Sequence, residues 1–260
     1  MSVPPGSLYL VPNTLDFGVA AEAGPIDEVL PASVIRTAAR LTHWVAENAK
    51  TTRAFLKRVD AVVPLAQPLQ ATHIVELPRP AKGTRNAPAP DLAALLEPAH
   101  AGHDIGLISE AGLPAVADPG AALVQAAHAA GIRVIALSGP SSLVLALAAS
   151  GLNGQSFAFV GYLPVDSAAR GARIRELEAL SRREGQTQLM IETPYRNEAL
   201  LAALLAHLQP VTRLSVSCGL TLPEGFTRTD DVRSWKARPT PLPGDVPVVF
   251  SFLAGTMGAS

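Results

Sequence analysis

The sequence predicts an α/β protein built as two α/β domains with mostly parallel sheets. Three observations predict it. Short apolar runs recur along the whole chain, at 7–11, 42–46, 72–77, 105–108, 132–137, 157–162, 189–191, 214–218 and 246–253. Ala/Leu-rich segments with helix start and stop signals lie between many of them. Hydrophobic residues make up 48% of the 260 and charged residues 17%, which supplies packed cores and argues against disorder.

Taken in order, the runs at 7–11 and 42–46 read as strands, and a short helix carrying Lys50, Arg53, Lys57 and Arg58 follows the second. The stretch 77–90 holds Pro78, Pro80, Pro88 and Pro90 around Lys82, Gly83 and Arg85, so it reads as a long exposed loop. After the run at 105–108, Asp118 can accept the first free amides of a helix, Pro119 fits its first turn and Gly131 ends it. Gly139-Pro140 opens a second helix that runs to Gly151. Asp166 or Ser167 caps a third, ending near Gly185. Thr193-Pro194 opens a fourth, which stops before Pro210. The Pro-rich run 239–247 leads into the last strand. A boundary near Phe157 divides an N-terminal domain, 1–154, from a C-terminal domain, 155–260. Strands alternating with helices imply sheets covered on both faces, with ligands gathered at the carboxyl ends of the strands.

Charge and chemistry-bearing residues narrow the function. Formal net charge is −1, so the chain lacks the broad positive field of a protein that holds nucleic acid by electrostatics alone. Nucleic-acid contact requires a local patch. Two are candidates: the set Lys50, Arg53, Lys57 and Arg58, and Arg170, Arg173, Arg175, Arg182 and Arg183, interleaved with Glu176, Glu178 and Glu184. Cys218, the single cysteine, sits in an apolar run and reads as a buried inert thiol. Trp44 and Trp235 read as packing residues. His100 and His103 lack partners at metal-ligand spacing, so no metal is expected. The segment Met1 to Gly6 has no basic run followed by an apolar one, and no apolar stretch is long enough for a membrane helix. A soluble cytoplasmic protein is the expectation.

Two loops carry the most information. The first is 106–120, Gly-Leu-Ile-Ser-Glu-Ala-Gly-Leu-Pro-Ala-Val-Ala-Asp-Pro-Gly, in which small residues follow a strand and let a ligand approach the backbone. A tight turn without a ligand explains it equally well. The second is Ser138-Gly139-Pro140-Ser141-Ser142, again a strand end turning into a helix start, where hydroxyls and amides can meet a polar group. Neither G-x-G-x-x-G nor G-x-x-x-x-G-K-[ST] occurs, which argues against the common dinucleotide and nucleoside-triphosphate folds.

The pairing of Ser109-Glu110-Ala111-Gly112-Leu113-Pro114 through Asp118-Pro119-Gly120 with Ser138-Gly139-Pro140-Ser141 resembles the tetrapyrrole methylase superfamily. Within it, the chain is similar to the branch that methylates the ribose 2′-hydroxyl of a cytidine in small-subunit ribosomal RNA. Further pieces stand in that branch's order: Leu8-Tyr9-Leu10-Val11-Pro12, Ala46-Glu47-Asn48 with Thr51-Thr52-Arg53, Gly161-Tyr162-Leu163-Pro164, and Glu192-Thr193-Pro194-Tyr195-Arg196. The resemblance implies an S-adenosyl-L-methionine-dependent methyltransferase whose two α/β domains hold the donor in a cleft between them, commonly as a homodimer, with RNA of the small ribosomal subunit as partner. It also implies donor contacts at Pro12, at Ser109, Glu110, Ala111, Gly112 and Leu113, at Val116, at Ser141 and Ser142, and at Glu192 and Leu220.

Departures from the branch concentrate where an acceptor would be handled. Asn13-Thr14-Leu15-Asp16-Phe17 stands in place of a Pro-Ile-Gly-Asn-Leu-type loop. Glu47-Asn48-Ala49-Lys50 replaces Glu-Asp-Thr-Arg, and Cys218-Gly219-Leu220-Thr221-Leu222 replaces Arg-Glu-Leu-Thr-Lys. A hydroxyl acceptor needs help in losing its proton, and Glu47 is the carboxylate chosen for that part, with Glu110 and Glu192 as neighbours. Two other activities stay open: methylation of a tetrapyrrole, and non-catalytic binding of S-adenosylmethionine or its demethylated product.

Overall fold

A computed structural model describes residues 4–16, 24–78 and 92–255. The loop expected over 77–90 falls, beyond Pro78, outside the described residues, as does Phe17. The chain divides into two compact units, Met1–Ser141 and Ser142–Ser260.

The first unit alternates strand and helix: β1 (Leu8–Leu10), α1 (Ala32–Arg40), β2 (His43–Ala46), α2 (Ala49–Asp60), β3 (His73–Glu76), α3 (Ala93–His100), β4 (Ile105–Ile108), α4 (Ala121–Ala129) and β5 (Val134–Ala136). Its five strands run in the order β3-β2-β4-β1-β5, and every pair is parallel. Period-two alternation sends Tyr9, Val11, Trp44 and Ala46 to the face covered by α1 and α2, whose Val34, Ile35, Ala38, Phe55, Leu56 and Val59 are buried there. Leu8, Val45, Ile105 and Leu107 point to the other face, against Leu96, Leu123 and Ala127 of α3 and α4. Such double coverage is why these strands read as plain apolar runs.

The second unit holds α5 (Ser142–Ser150), β6 (Phe157–Phe159), α6 (Ser167–Glu184), β7 (Thr187–Ile191), α7 (Asn197–His207), β8 (Arg213–Cys218), β9 (Phe226–Asp231), α8 (Val232–Ala237) and β10 (Val248–Leu253). Its sheet runs β6-β7-β10-β8-β9. Only β6 and β7 are parallel; β10 pairs antiparallel with β7 and β8, and β8 pairs antiparallel with β9. The mostly parallel arrangement expected of both domains therefore characterises the first sheet, while the second is mixed. For β8 and β9 chain length gives the reason, since a parallel neighbour needs a crossover of about a dozen residues and the short link after Cys218 permits only a hairpin-like return. One face packs Met190, Leu214, Val216, Phe250 and Phe252 under α6, α7 and α8, with Trp235 fully buried. The other face carries Leu189 and Val249 against Leu143, Ala146 and Leu147 of α5. That packing places α5 with the second compact unit, which begins at Ser142.

The helix signals fare unequally. Asp166 caps α6 by accepting from the Ala169 amide, and Gly185 ends it in the left-handed region. α4 differs: it begins at Ala121 with Gly120 as its cap, and the Asp118 side chain is not the capping group. Trp44 and Trp235 are core residues, each donating its indole N–H to a backbone carbonyl, of Leu41 and Leu214. Cys218 is buried, which pushes its thiol up from the ordinary value. His103 does not join His100; it stacks on His43, which stacks in turn on His73, at the amino ends of the strands. Among the described residues no helix is long and apolar enough to cross a membrane, and no group of three or more His, Cys, Asp or Glu could hold a metal ion.

Candidate functional site

Because all five strands of the first sheet are parallel, the loops after β1, β2, β4 and β5 emerge at one edge. The β4 loop has an unusual backbone. Gly112 and Gly120 lie at φ 65° and 129°, and Ala115 and Ala117 at 66° and 63°. Glycine accepts those angles freely, but each left-handed alanine costs about 1–2 kcal/mol. Such strain persists only where the surroundings over-determine the loop.

The surroundings are identifiable. Asn13, buried just after β1, forms a bridge with Gly112, its amide donating to the Gly112 carbonyl at 2.8 Å. Its side-chain Nδ2 donates to the carbonyls of Ser109 (3.2 Å) and Glu110 (2.9 Å), while its Oδ1 accepts from the Thr14 amide. Arg58 of α2 then holds the far side of the β1 loop, pairing with Asp16 at 2.8 Å and donating to the Thr14 hydroxyl. From β2, the Glu47 carboxylate accepts from the Glu110 amide at 3.0 Å, and the Glu47 amide donates to the Ile108 carbonyl. Pro12 is buried against Gly139, where an added Cβ would lie 2.2 Å from the Pro12 Cβ. The β5 loop can approach the β1 loop so closely only because residue 139 lacks a side chain.

The sequence-chosen residues of the first unit therefore converge. Pro12, Ser109, Glu110, Ala111, Gly112, Leu113 and Ser141 line or support these neighbouring loops, and Glu47 ties into the same network. Ser109 and Ala111 are buried, with the Ser109 hydroxyl donating to the Ala111 carbonyl, while Val116 is exposed at 44%. A side chain at Gly112 would project toward Leu15 and the Pro140 carbonyl, so the loop leaves backbone, not bulk, at that point.

Asp118 was read as a helix cap, and the structure gives it a different setting. Its carboxyl is pushed up to about 6, chiefly by burial and then by the charges of Glu47 and Glu110, against a lowering hydrogen bond with Ser109. The available sequence signal was Gly120, which can begin the helix itself and free Asp118 from capping. Asn13 was also missed as a support, although an asparagine after a strand commonly bonds nearby backbone.

In the second unit, Ser142 is the first residue of α5. Glu192 follows β7 and is buried; it accepts from the Thr193 amide at 2.9 Å and pairs with Arg196 at 2.9 Å. Leu220 follows β8 and packs with Leu143, Leu189 and Val249. Since β7 and β8 both run antiparallel to β10, Glu192 and Leu220 emerge at one edge of that sheet.

Comparison with known proteins agrees with this geometry. The model of the Tetrapyrrole (Corrin/Porphyrin) Methylases matches residues 32–231. A protein of Halalkalibacterium halodurans named ribosomal RNA small subunit methyltransferase I is 32% identical over 200 residues, 77% of this chain and 60% of its own. Relatives of the same name from Mesorhizobium japonicum and Vibrio cholerae are 37% identical over 145 residues and 42% over 95. Those two matches cover 56% and 36% of this chain, and 47% and 32% of the relatives, so the matched part spans between a third and three-fifths of the curated proteins' length. The crystal structure of uroporphyrin-III-C-methyltransferase from Thermus thermophilus superposes with a TM-score of 0.52 over 95% of this chain and 92% of that one. At 20% identity this is a likeness of fold.

Proposed function

The chain belongs to the tetrapyrrole methylase family, and from that premise we propose that it transfers a methyl group from S-adenosylmethionine to a ribose 2′-hydroxyl of small-subunit ribosomal RNA. The observation that carries donor binding is the β4 loop, whose strained alanines and glycines are held open by Asn13 and Glu47 at the carboxyl edge of a parallel sheet. Ser109, Glu110, Ala111, Gly112 and Leu113 would hold the donor through backbone groups and the Ser109 environment, with Pro12, Val116 and Ser141 beside them. Ser142, Glu192 and Leu220 are further donor contacts on the family likeness alone. Bound S-adenosylmethionine supplies an activated methyl group. The protein's part is orientation, worth roughly 7–11 kcal/mol of barrier in well-aligned reactions, and acceptance of the hydroxyl proton, worth about 10²–10⁴-fold. Glu47, which accepts from the Glu110 amide, is the proposed acceptor of that proton, and Asp118, its carboxyl pushed up to about 6, is a second acceptor close enough to feel the Glu47 charge. RNA as acceptor is supported by the names of the relatives. A cytoplasmic homodimer belongs to the same reading. Val144 and Leu145 on the outer side of α5, with Phe157 and Phe159 on the edge strand, are exposed apolar residues suited to a second copy.

Calorimetric titration with S-adenosylmethionine and S-adenosylhomocysteine comes first, followed by transfer of labelled methyl to small ribosomal subunits. Micromolar binding and label in RNA are expected. Absence of binding by folded protein would end the enzyme reading; label entering a porphyrinoid instead of RNA would replace the acceptor.

A further inference from the structure

We propose that the solvent face of α2, formed by Lys50, Arg53 and Lys57, is the track on which the phosphate backbone of the RNA substrate lies; this rests on the RNA acceptor proposed above. With a net charge of −1, the chain can hold a polyanion only through a local concentration of cations. Two basic groups stood out, and the structure separates them. On α6, Arg173 pairs with Glu176 at 2.7 Å, Arg183 with Glu184 at 2.7 Å and Arg182 with buried Glu178 at 4.0 Å, while Arg175 contacts His207. Three of the five arginines of α6 thus meet a carboxylate of their own helix, while Arg170 and Arg175 meet none among the described residues. On α2, Arg58 is likewise committed, to Asp16.

Lys50, Arg53 and Lys57 are different. Their spacing of three and four residues puts them on one side of the helix, all three are exposed, and among the described residues none has an acidic partner. Arg53 spends one donor on the Ala49 carbonyl and keeps the rest of its guanidinium. Of the nearby carboxylates, Glu47 accepts from the Glu110 amide and Asp60 from the Leu65 amide, while Glu76 sits at the amino end of α2 and accepts from the Ala49 amide.

The position of the stripe matters as much as its charge. α2 starts two residues after Glu47, so Lys50 stands beside the loops that form the candidate site, and the stripe leads away from them. A lysine in the first turn sits at the positive end of the helix dipole, a placement that costs stability by about 0.3–1 kcal/mol. That turn has no acidic residue of its own, and the negative charge it meets comes from Glu76, at the Ala49 amide. The family's usual aspartate at position 48 is here Asn48, which caps the helix without adding a negative charge. Asn48 and Glu76 already occupy the first amides, so an anion would be met by the three side chains and the dipole, not by the helix amides.

The test is binding of a fluorescently labelled single-stranded RNA oligonucleotide across a salt series. In the variant carrying K50Q, R53Q and K57Q, affinity at low salt should fall at least about tenfold, and the slope of log affinity against log salt should shrink by about 2, at roughly 0.7 per lost phosphate contact. Affinity for S-adenosylmethionine should persist, which also certifies the fold. The charge-retaining variant with K50R and K57R should bind RNA like the parent, and R173Q with R182Q and R183Q should leave RNA affinity unchanged. Parental affinity and slope in the triple α2 variant would overturn the track while leaving the RNA acceptor standing. A parent protein that binds S-adenosylmethionine but no RNA would overturn the acceptor reading and the track together.

Discussion

Asp118 shows how much of a site can hang on one residue's surroundings. In the folded chain its carboxyl loses its proton near 6; in the unfolded chain it does so at the ordinary value near 3.8. Between those values the folded state binds more protons, so stability falls as pH rises through the window, and the cost is complete above it. Asp118→Asn removes the charge and should therefore stabilise the protein by about 1–2 kcal/mol at pH 7.5, the gain vanishing below about pH 4. Thermal melts across pH would check this, and a variant no more stable than the parent at pH 7.5 would remove the burial argument. Transfer activity should decline in the same variant if the carboxylate accepts the proton, the usual conflict between stability and function. Within Asp-Pro-Gly the signal that separates this outcome from a helix cap is the glycine alone: Gly120 takes φ 129° and starts α4 by itself.

At the scale of elements, α2 connects a departure from the family to a physical role. Asn48 accepts from the amides of Lys50 and Thr51, the work an aspartate would do in the same place. Asn48→Asp should then change stability by only a few tenths of a kcal/mol, while Asn48→Ala should cost about 1 kcal/mol. Chemical denaturation would measure both, and no loss from Asn48→Ala beside a clear change from Asn48→Asp would show that charge, not capping, decides at this position. Elements of this kind were readable because their signals are local: a cap, an apolar stripe, a terminating glycine. β9 was not readable. Phe-Thr-Arg-Thr-Asp-Asp has no apolar run, and all six residues are half-buried at a sheet edge, held by pairing with β8 and by hydroxyl contacts such as Ser217 with Thr227 and Ser215 with Thr229. A strand held by polar cross-strand pairs, even with its neighbour in the chain, leaves little trace in its own composition.

For the molecule as a whole, the nine apolar runs all became strands, whereas the destination of α5, apolar on every side, depends on packing, which places it with the second unit. The loops after β4 and β5 were legible for the opposite reason. Their small residues follow a buried strand, and the positions they must occupy are fixed by backbone contacts such as Asn13 with Gly112. A ligand that binds only the folded chain stabilises it by mass action, about 2.7 kcal/mol at a hundredfold excess over Kd. For a chain of this size, each kcal/mol raises the melting temperature by about 2–4 °C. Saturating S-adenosylmethionine should therefore raise it by roughly 5–10 °C. Gly112→Arg supplies the discriminating control. Residue 112 sits at φ 65°, and a side chain there is aimed at Leu15 and Pro140, so the variant should fold less stably and lose the ligand-induced rise. A rise of the same size in parent and variant would mean that the donor binds away from the β4 loop, and the strain stored in Ala115 and Ala117 would then need another explanation.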